Sequence, residues 1–434
     1  MINVLILCAL SAVLLVFTYT LGMYLETAGT VERPAGDGDG FSVVFLVPCL
    51  NEERVIAGTL RGLPCGTVLV VDDGSDDGTA EVVRRVAGPR VRLLRREPPN
   101  ARQGKGRALN HALRRLAEDL PDGDADHVLV CLMDADGRLD PGGLDKALPY
   151  FADPRVGAVQ MGVRIGNRAQ SLLARMQDME FVVYTWMFQR TRTGIGSAGL
   201  GGNGQIMRLS ALLDLGDDPW SPSLTEDLDL GVRMVLAGWR TVCVPDATVS
   251  QQGLVSTRAL ARQRSRWYQG HLQALRLVPS VVERASGRKA IDLLNVLLSP
   301  LLIFVGAFMT LSLVASLVGV AFSPLAREQL VQPVPIASWY ALTFGAAYLF
   351  GPLYARITGD MGRLRGLVHG HLFIVYNLIW LVAAWRGLWR AARGRRVWMK
   401  TERLAEPSPG AAPSPSPSRE PEPSRQPEPS REHA

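Results

Sequence analysis

The residues best suited to chemistry in this sequence are acidic and sit where apolar runs end. Val128-Leu129-Val130-Cys131-Leu132-Met133 closes on Asp134 and Asp136. A continuous apolar run of this kind reads as a strand buried on both faces, and ligands on such sheets gather beyond the carboxyl ends of the strands. Two carboxylates held close there repel each other unless a cation lies between them. A hard divalent ion that keeps some of its waters and also binds substrate phosphates suits the pair. An Asp-Ala-Asp after a strand is also an ordinary acidic turn, and by itself the pattern does not choose. Three other apolar runs end in the same way. Phe41–Val47 leads to Pro48, Asn51, Glu52 and Glu53; Thr67–Val71 leads to Asp72-Asp73-Gly74-Ser75-Asp76-Asp77-Gly78-Thr79; Val91–Leu94 leads to Gln103-Gly104-Lys105-Gly106-Arg107-Ala108-Leu109-Asn110. Any one of these Gly-rich stretches is accounted for as a turn. Four at equivalent strand ends make the polar edge on which an open sheet binds nucleotides.

The elements that must hold these residues follow from hydrophobic periodicity. The four runs and a fifth, Val156–Met161, read as strands, separated by helical stretches such as Glu52–Leu60 and Lys105–Leu120. Strands alternating with helices predict crossover units, hence an α/β domain with a mostly parallel sheet. The hydrophobic fraction of 47% over 434 residues is unevenly spread. Ile2–Leu25 has no charged residue, is long enough to cross a bilayer and lacks the basic start of a secretory signal, so it reads as a retained anchor. Uncharged stretches return at Leu293–Ala326, Leu330–Ala355 and Gly366–Trp385. The expected organisation is an anchor over 1–30, a globular domain over 41–290, about three membrane segments over 291–390, and a basic juxtamembrane stretch with a disordered Pro/Ser-rich tail over 391–434. Gln170–Arg190 carries apolar residues at mainly helical spacing together with Arg175, Asp178 and Glu180. It reads either as a helix lying on the membrane or as an ordinary core helix. Cys8, Cys49, Cys65, Cys131 and Cys243 are scattered without metal-site spacing and suit a reducing compartment. The net charge of +6 is modest, with arginines concentrated beside the membrane segments. Anionic lipid headgroups are the expected partners, and no nucleic-acid motif is present.

PCLNEE, VVDDGSDDGT, GKGRALN and DAD together resemble the family 2 glycosyltransferases, which implies the GT-A fold with its Rossmann-like, mixed, mostly parallel sheet. Thr225-Glu226-Asp227 and Gln263-Arg264-Ser265-Arg266-Trp267 resemble the membrane-embedded processive branch that includes hyaluronan, chitin, cellulose and poly-N-acetylglucosamine synthases. The resemblance implies sugar transfer from a nucleotide diphosphate donor, such as a UDP-sugar, with inversion at the anomeric carbon. It places Mg2+ or Mn2+ on Asp136 with Asp134 close by, and the nucleotide against Glu52, Asp72, Asp73, Lys105 and Asp134. Asp227 is then the general base beside Glu226, in the first turn of a helix that Thr225 caps; as bare sequence, the two acids are common first-turn residues. On the next helix Gln263 and Trp267 share a face, as do Gln263 and Arg266. The family reading has Arg264 or Arg266 meeting the diphosphate and Trp267 stacking on the acceptor sugar. A basic amphipathic helix on the headgroups, with Trp267 as interfacial anchor, is compatible with it.

Two departures bear on the product. Gly199-Leu200-Gly201-Gly202-Asn203-Gly204 stands where cellulose synthases have a Phe-Phe-Cys-Gly turn, with Gly202 and Asn203 expected at the acceptor and donor sugar. The Phe-x-Val-Thr gate is missing, and Trp398-Met399-Lys400-Thr401 resembles the Trp-Gly-Thr stretch of hyaluronan and chitin synthases only loosely. The leading expectation is extension of a polysaccharide, with secretion as a coupled step. The rivals are transfer of a single sugar to a lipid carrier and an inactive membrane subunit or transporter. A cytosolic catalytic domain at the plasma membrane is expected because nucleotide sugars are cytosolic. One anchor before the domain and three spans after it put the tail outside, whereas the basic cluster from Arg386 to Arg403 places it in the cytosol. The reading favours a cytosolic tail, with one stretch re-entrant or interfacial.

Overall fold

The computed structural model describes residues 36–394 apart from 65 and 120–123, together with 18, 19, 21, 22, 25 and 34. The anchor expected at Ile2–Leu25 lies almost wholly outside the described residues, as do Cys8, Cys65, Trp398–Thr401 and Glu406–Ala434.

Eight strands form one sheet: β1 (Ser42–Cys49), β2 (Thr67–Asp72), β3 (Val91–Arg95), β4 (Val128–Leu132), β5 (Arg138–Leu139), β6 (Val156–Ile165), β7 (Gln205–Arg208) and β8 (Arg240–Gln251). Their order is β3-β2-β1-β4-β7-β6-β8-β5. β1 to β4 are mutually parallel and β6 pairs parallel with β8, while β7 and the two-residue β5 run against the rest. This is the mostly parallel α/β sheet expected from the alternating runs, and its mixed, Rossmann-like arrangement is the one that the resemblance implies. The sheet is covered on both sides because successive side chains point to opposite faces. Phe45, Val47, Leu129, Cys131, Val159 and Ile206 enter one core; Leu46, Val130, Leu132 and Met207 enter the other. Helix Lys105–Glu118 closes the second core through Ala108, Leu109, Ala112 and Leu113. Cys49, Cys131 and Cys243 are buried free thiols.

Three helical segments among the described residues are long and apolar enough to cross a membrane: Gly287–Phe322, Pro333–Thr358 and Arg363–Ala392. The Gln170–Arg190 stretch forms helix Leu172–Val183 and a π-helical turn, Tyr184–Gln189. Met176, Met179, Val182 and Val183 pack with Leu353, Tyr354 and Phe373 from the second and third of those segments. This helix therefore joins the globular domain to the membrane-capable helices, which is neither a bare bilayer contact nor a place in the domain's own core. Polar contacts reinforce the joint. Asp178 is fully buried and accepts from Arg164 Nε (3.0 Å), Arg164 Nη2 (2.9 Å) and Tyr354 Oη (2.9 Å). Buried Arg192 donates from Nε to both oxygens of Asp292 (3.0 and 2.9 Å), which also accepts from Ser197 Oγ (2.7 Å).

Candidate active site

The sheet edge collects the acidic residues as the strand ends dictate. Met133 to Asp136 follow β4 directly, and the backbone N–H of Asp134 donates to Asn203 Oδ1 (3.1 Å). Asn203 Nδ2 donates to Gln251 Oε1 (2.9 Å) at the end of β8, and the adjoining Gln252 N–H donates to Asp136 Oδ2 (3.1 Å). Asp134, Asp136 and the Gly202-Asn203 turn thus form one locus, closed by a strand that the apolar runs did not announce.

Lys105, at the start of its helix, reaches across to this locus. Its Nζ lies 2.8 Å from Asp134 Oδ1 and 3.7 Å from Glu226 Oε1. Burial alone would lower its pKa, but Asp134 and then Glu226 outweigh that and raise it, so the ammonium is secured. Glu226 and Asp227 open helix Glu226–Leu236. Burial pushes the Glu226 carboxyl up to about 7, with Lys105 opposing and Asp227 adding to the rise. Asp227 is also raised, again by burial first and against Lys105. The two acids are not equivalent in access: Glu226 is buried, while Asp227 is partly open to solvent. Asp227 Oδ1 accepts from the Leu228 N–H (2.8 Å). Its Oδ2 faces Gly202, where a Cβ would stand 3.0 Å away. Gly202 has φ +79°, so the turn needs glycine both for its backbone and for this close approach.

Thr225 occupies the N-cap but makes no capping bond, contrary to the expectation; its buried Oγ1 has no hydrogen-bond partner. The reason is packing. Gly270 of helix Thr257–Ala274 lies so close that a Cβ there would meet Thr225 Oγ1 at 2.6 Å. The helix carrying Trp267 is thereby pressed against the helix carrying Asp227.

The second strand end is separate but near. β2 and β4 flank β1, so their ends are about 10 Å apart at ordinary strand spacing. Asp72 is fully buried; its Oδ1 accepts from the Ser75 N–H (2.8 Å), and its Oδ2 is 3.5 Å from Arg95 Nη1. Asp73 is paired with Arg96, and its buried Oδ2 has no hydrogen-bond partner. Burial raises the Asp73 pKa and Arg96 opposes the rise. Glu52 lies on the loop after β1, its N–H held by Thr79 Oγ1 (2.7 Å).

Gln263, Arg264, Arg266 and Trp267 lie together on helix Thr257–Ala274. Arg264 is 1% exposed, gives Nη2 to Glu180 Oε2 (2.6 Å) and Nη1 to Gln263 Oε1 (2.7 Å), and covers Trp267 with its guanidinium 4.0 Å from the ring centroid. Of the two arginines expected at the diphosphate, Arg264 is thus buried against Glu180, whereas Arg266 is half-buried. Sequence reasoning passed over several participants. Arg96 sits on Asp73. Gln160 and Gln189 hold the Gly201 and Gly199 N–H groups at 2.8 Å each, and Glu180 anchors Arg264. The glutamines carry no motif, and only their placement on β6 and the π-helical turn reveals them.

This sheet and its acidic edge define a GT-A glycosyltransferase domain. Residues 40–270, just over half the chain, match the family described as Glycosyltransferase like family 2, and the chain belongs to that family. It is 34% identical over 242 residues to the beta-monoglucosyldiacylglycerol synthase of Trichormus variabilis, covering 53% of this chain and 49% of that one. It is 27% identical over 246 residues to the poly-beta-1,6-N-acetyl-D-glucosamine synthase of Staphylococcus aureus, covering 54% and 55%. The chain thus spans about half the length of these curated relatives. The mannosyltransferase PcManGT of Pyrobaculum calidifontis, solved with GDP-Man and Mn2+, shares the fold. Its TM-score is 0.58 over 89% of this chain and 99% of that one, at 21% identity.

Proposed function

We propose that the protein transfers one sugar, with inversion, from a nucleoside diphosphate donor to a hydroxyl on a lipid-borne acceptor at the membrane surface. The observation that carries this reading is the convergence of Asp134, Glu226 and Asp227 around Lys105 beside the Gly202 turn. In the reaction the acceptor oxygen attacks the anomeric carbon, the bond to the diphosphate breaks, and Asp227, the accessible acid, takes the hydroxyl proton. Glu226 stays with Lys105. Asp73, with its unpartnered Oδ2 and its Arg96 partner, suits a donor group on the nucleoside. Lys105 keeps Asp134 oriented, and Trp267 offers a ring to the acceptor.

The acids fit a hard divalent cation such as Mg2+ or Mn2+. The donors are all oxygen, and one ammonium faces the three carboxylates nearest to it, which leaves negative charge over. Among the described residues there is no group of three or more His, Cys, Asp or Glu side chains disposed to hold a metal. Asp134 and Asp136 would therefore share the ion with diphosphate oxygens and water. When bound, the ion neutralises charge on the leaving diphosphate.

The lipid acceptor is favoured by the packing of the Trp267 helix against the Arg363–Ala392 segment, with Trp267 and Trp380 rings 6.5 Å apart. It is also favoured by the glucosyldiacylglycerol synthases among the relatives. Polymer extension is the second reading, supported by the Gln263–Trp267 motif and the poly-N-acetylglucosamine synthase relative. The full chain in lipid vesicles, given a panel of radiolabelled nucleotide sugars with Mg2+ or Mn2+, distinguishes them by product size. Single-sugar lipid supports the first reading and long polymer the second. Absence of metal-dependent nucleotide release from every donor refutes both.

A further inference from the structure

Glu180 belongs to none of the motifs at the sheet edge, yet three donors, one from helix Thr257–Ala274 and two from segment Arg363–Ala392, meet on its carboxylate. Oε2 accepts from Arg264 Nη2 and from Tyr376 Oη, each at 2.6 Å, and Oε1 accepts from Trp380 Nε1 at 2.9 Å. Arg264 in turn lies over the Trp267 ring, its Cζ 4.0 Å from the centroid, with the Trp380 ring centroid 5.6 Å away. The neighbour of Glu180, Phe181, forms a T-shaped pair with Trp267, centroids 6.2 Å apart and planes at 75°. One side of the Trp267 indole is therefore set by Glu180 through Arg264, and Glu180 is itself set by the third membrane-capable segment.

Stability alone is a weak reason for such a pair. Buried ion pairs can often be exchanged for well-packed apolar side chains without loss, whereas removing a single partner is costly. A guanidinium is, however, well suited to orienting a ring, because it is planar and stacks on aromatics, and here Nη2 is fixed by Glu180 and Nη1 by Gln263.

We propose that Glu180 is a positioning residue for the transfer reaction. By fixing Arg264 against Trp267 while bonded to Tyr376 and Trp380, it makes the orientation of the acceptor-binding indole depend on the membrane-capable helix. The inference rests on the proposed role of Trp267 at the acceptor. It goes beyond that role by giving the ring's placement to a residue 84 positions from Arg264 and 196 from Tyr376.

The test uses the full chain in vesicles and separates acceptor KM, kcat and donor affinity. Glu180→Gln leaves Arg264 buried and uncompensated and can lower folding yield, so the deciding variant is the double Glu180→Met/Arg264→Met, which removes both charges. Its expected result is a cooperative unfolding transition at a lowered midpoint, because Tyr376 Oη and Trp380 Nε1 lose their acceptor, with donor affinity within about twofold and acceptor KM raised about tenfold. Tyr376→Phe, which keeps the ion pair and deletes one hydrogen bond, raises acceptor KM about threefold. Adding Trp267→Ala to the double variant produces no further rise, because both changes act on one unit. Parental acceptor KM in the double variant and in Tyr376→Phe, or a fall in kcat alone, overturns the proposal. If the parent protein shows no acceptor-dependent nucleotide release, the proposed function itself fails and this inference with it. An active parent with an unaffected double variant removes the inference only.

Discussion

Replacing Asp227 by Asn separates catalysis from both binding and stability. The substitution keeps the shape and leaves an oxygen to accept the Leu228 N–H now held at 2.8 Å. What disappears is the proposed base, and a base in a positioned site supplies about 10²–10⁴ in rate, or about 3–5 kcal/mol of barrier. Stability should move the other way. Asp227 has a folded pKa raised by burial, so its ionised form weakens the fold at every pH above the unfolded value near 4. Asn removes that penalty, and the unfolding midpoint rises by about 2–4 °C for each kcal/mol regained. The assay is nucleoside diphosphate release at saturating donor, with donor affinity by nucleotide titration and an unfolding midpoint on the same preparation. Glu226→Gln is the control, because Glu226 is buried on Lys105 and should lose donor affinity as well as rate. Rate retained above a tenth of the parent, or a lowered midpoint, would refute the assignment of Asp227 as base.

Lys105→Met leaves Asp134 and Glu226 without their ammonium; donor KM should rise at least about tenfold and stability fall by about 3–5 kcal/mol, as when a buried pair loses one member. Both are measurable by donor titration and chemical denaturation, and added divalent ion should restore part of the stability. Gly202→Ala forces a Cβ into a left-handed turn and to 3.0 Å from Asp227 Oδ2. It should cost about 1–2 kcal/mol and lower kcat more than donor affinity. Away from the site, Asp153 is held at about 2, chiefly by its hydrogen bonds from Arg155, with burial opposing and Arg240 assisting. A depressed folded pKa stabilises above the unfolded value and is lost as pH falls through the folded one. Between pH 4 and about 2 the parent should therefore lose stability that Asp153→Asn has already lost, which acid unfolding curves of the two will show.

Local features of the site were the legible ones. β1, β2 and β4 were readable because apolar runs have few alternatives when both faces are buried, and the acids at their ends could be placed from the run alone; β3, at the sheet edge, is only half-buried and was read from its short apolar run. β7 and β8 were not. Gln205–Arg208 is four residues in a Gly-rich setting, and β8 carries Pro245 and Asp246 where its register against β6 shifts between Met161 and Gly162. A proline and a bulge break the alternation on which strand reading relies. Those two strands bring Gln251 and Gln252 to Asn203 and Asp136, so that part of the far wall was hidden with them, although the Gly202-Asn203 turn itself was expected at the site. The role of Arg264 was hidden for another reason: its partner Glu180 sits on a helix whose own periodicity is explained by packing on membrane segments. The failed cap at Thr225 has the same origin, since the Gly270 contact that crowds it is tertiary.

Cutting the chain just before Gly287, to obtain a water-soluble catalytic fragment, would discard Asp292 and strand Arg192 and Ser197 in the interior. A buried guanidinium without its counterion costs about 3–5 kcal/mol, a large share of what holds an ordinary domain folded. The same cut would uncover the apolar ridge of Met176, Met179 and Val183. Expression of the excised enzyme half should therefore yield aggregates unless Arg192 is neutralised and that ridge made polar, whereas a longer fragment ending after the third hydrophobic segment should extract intact in detergent.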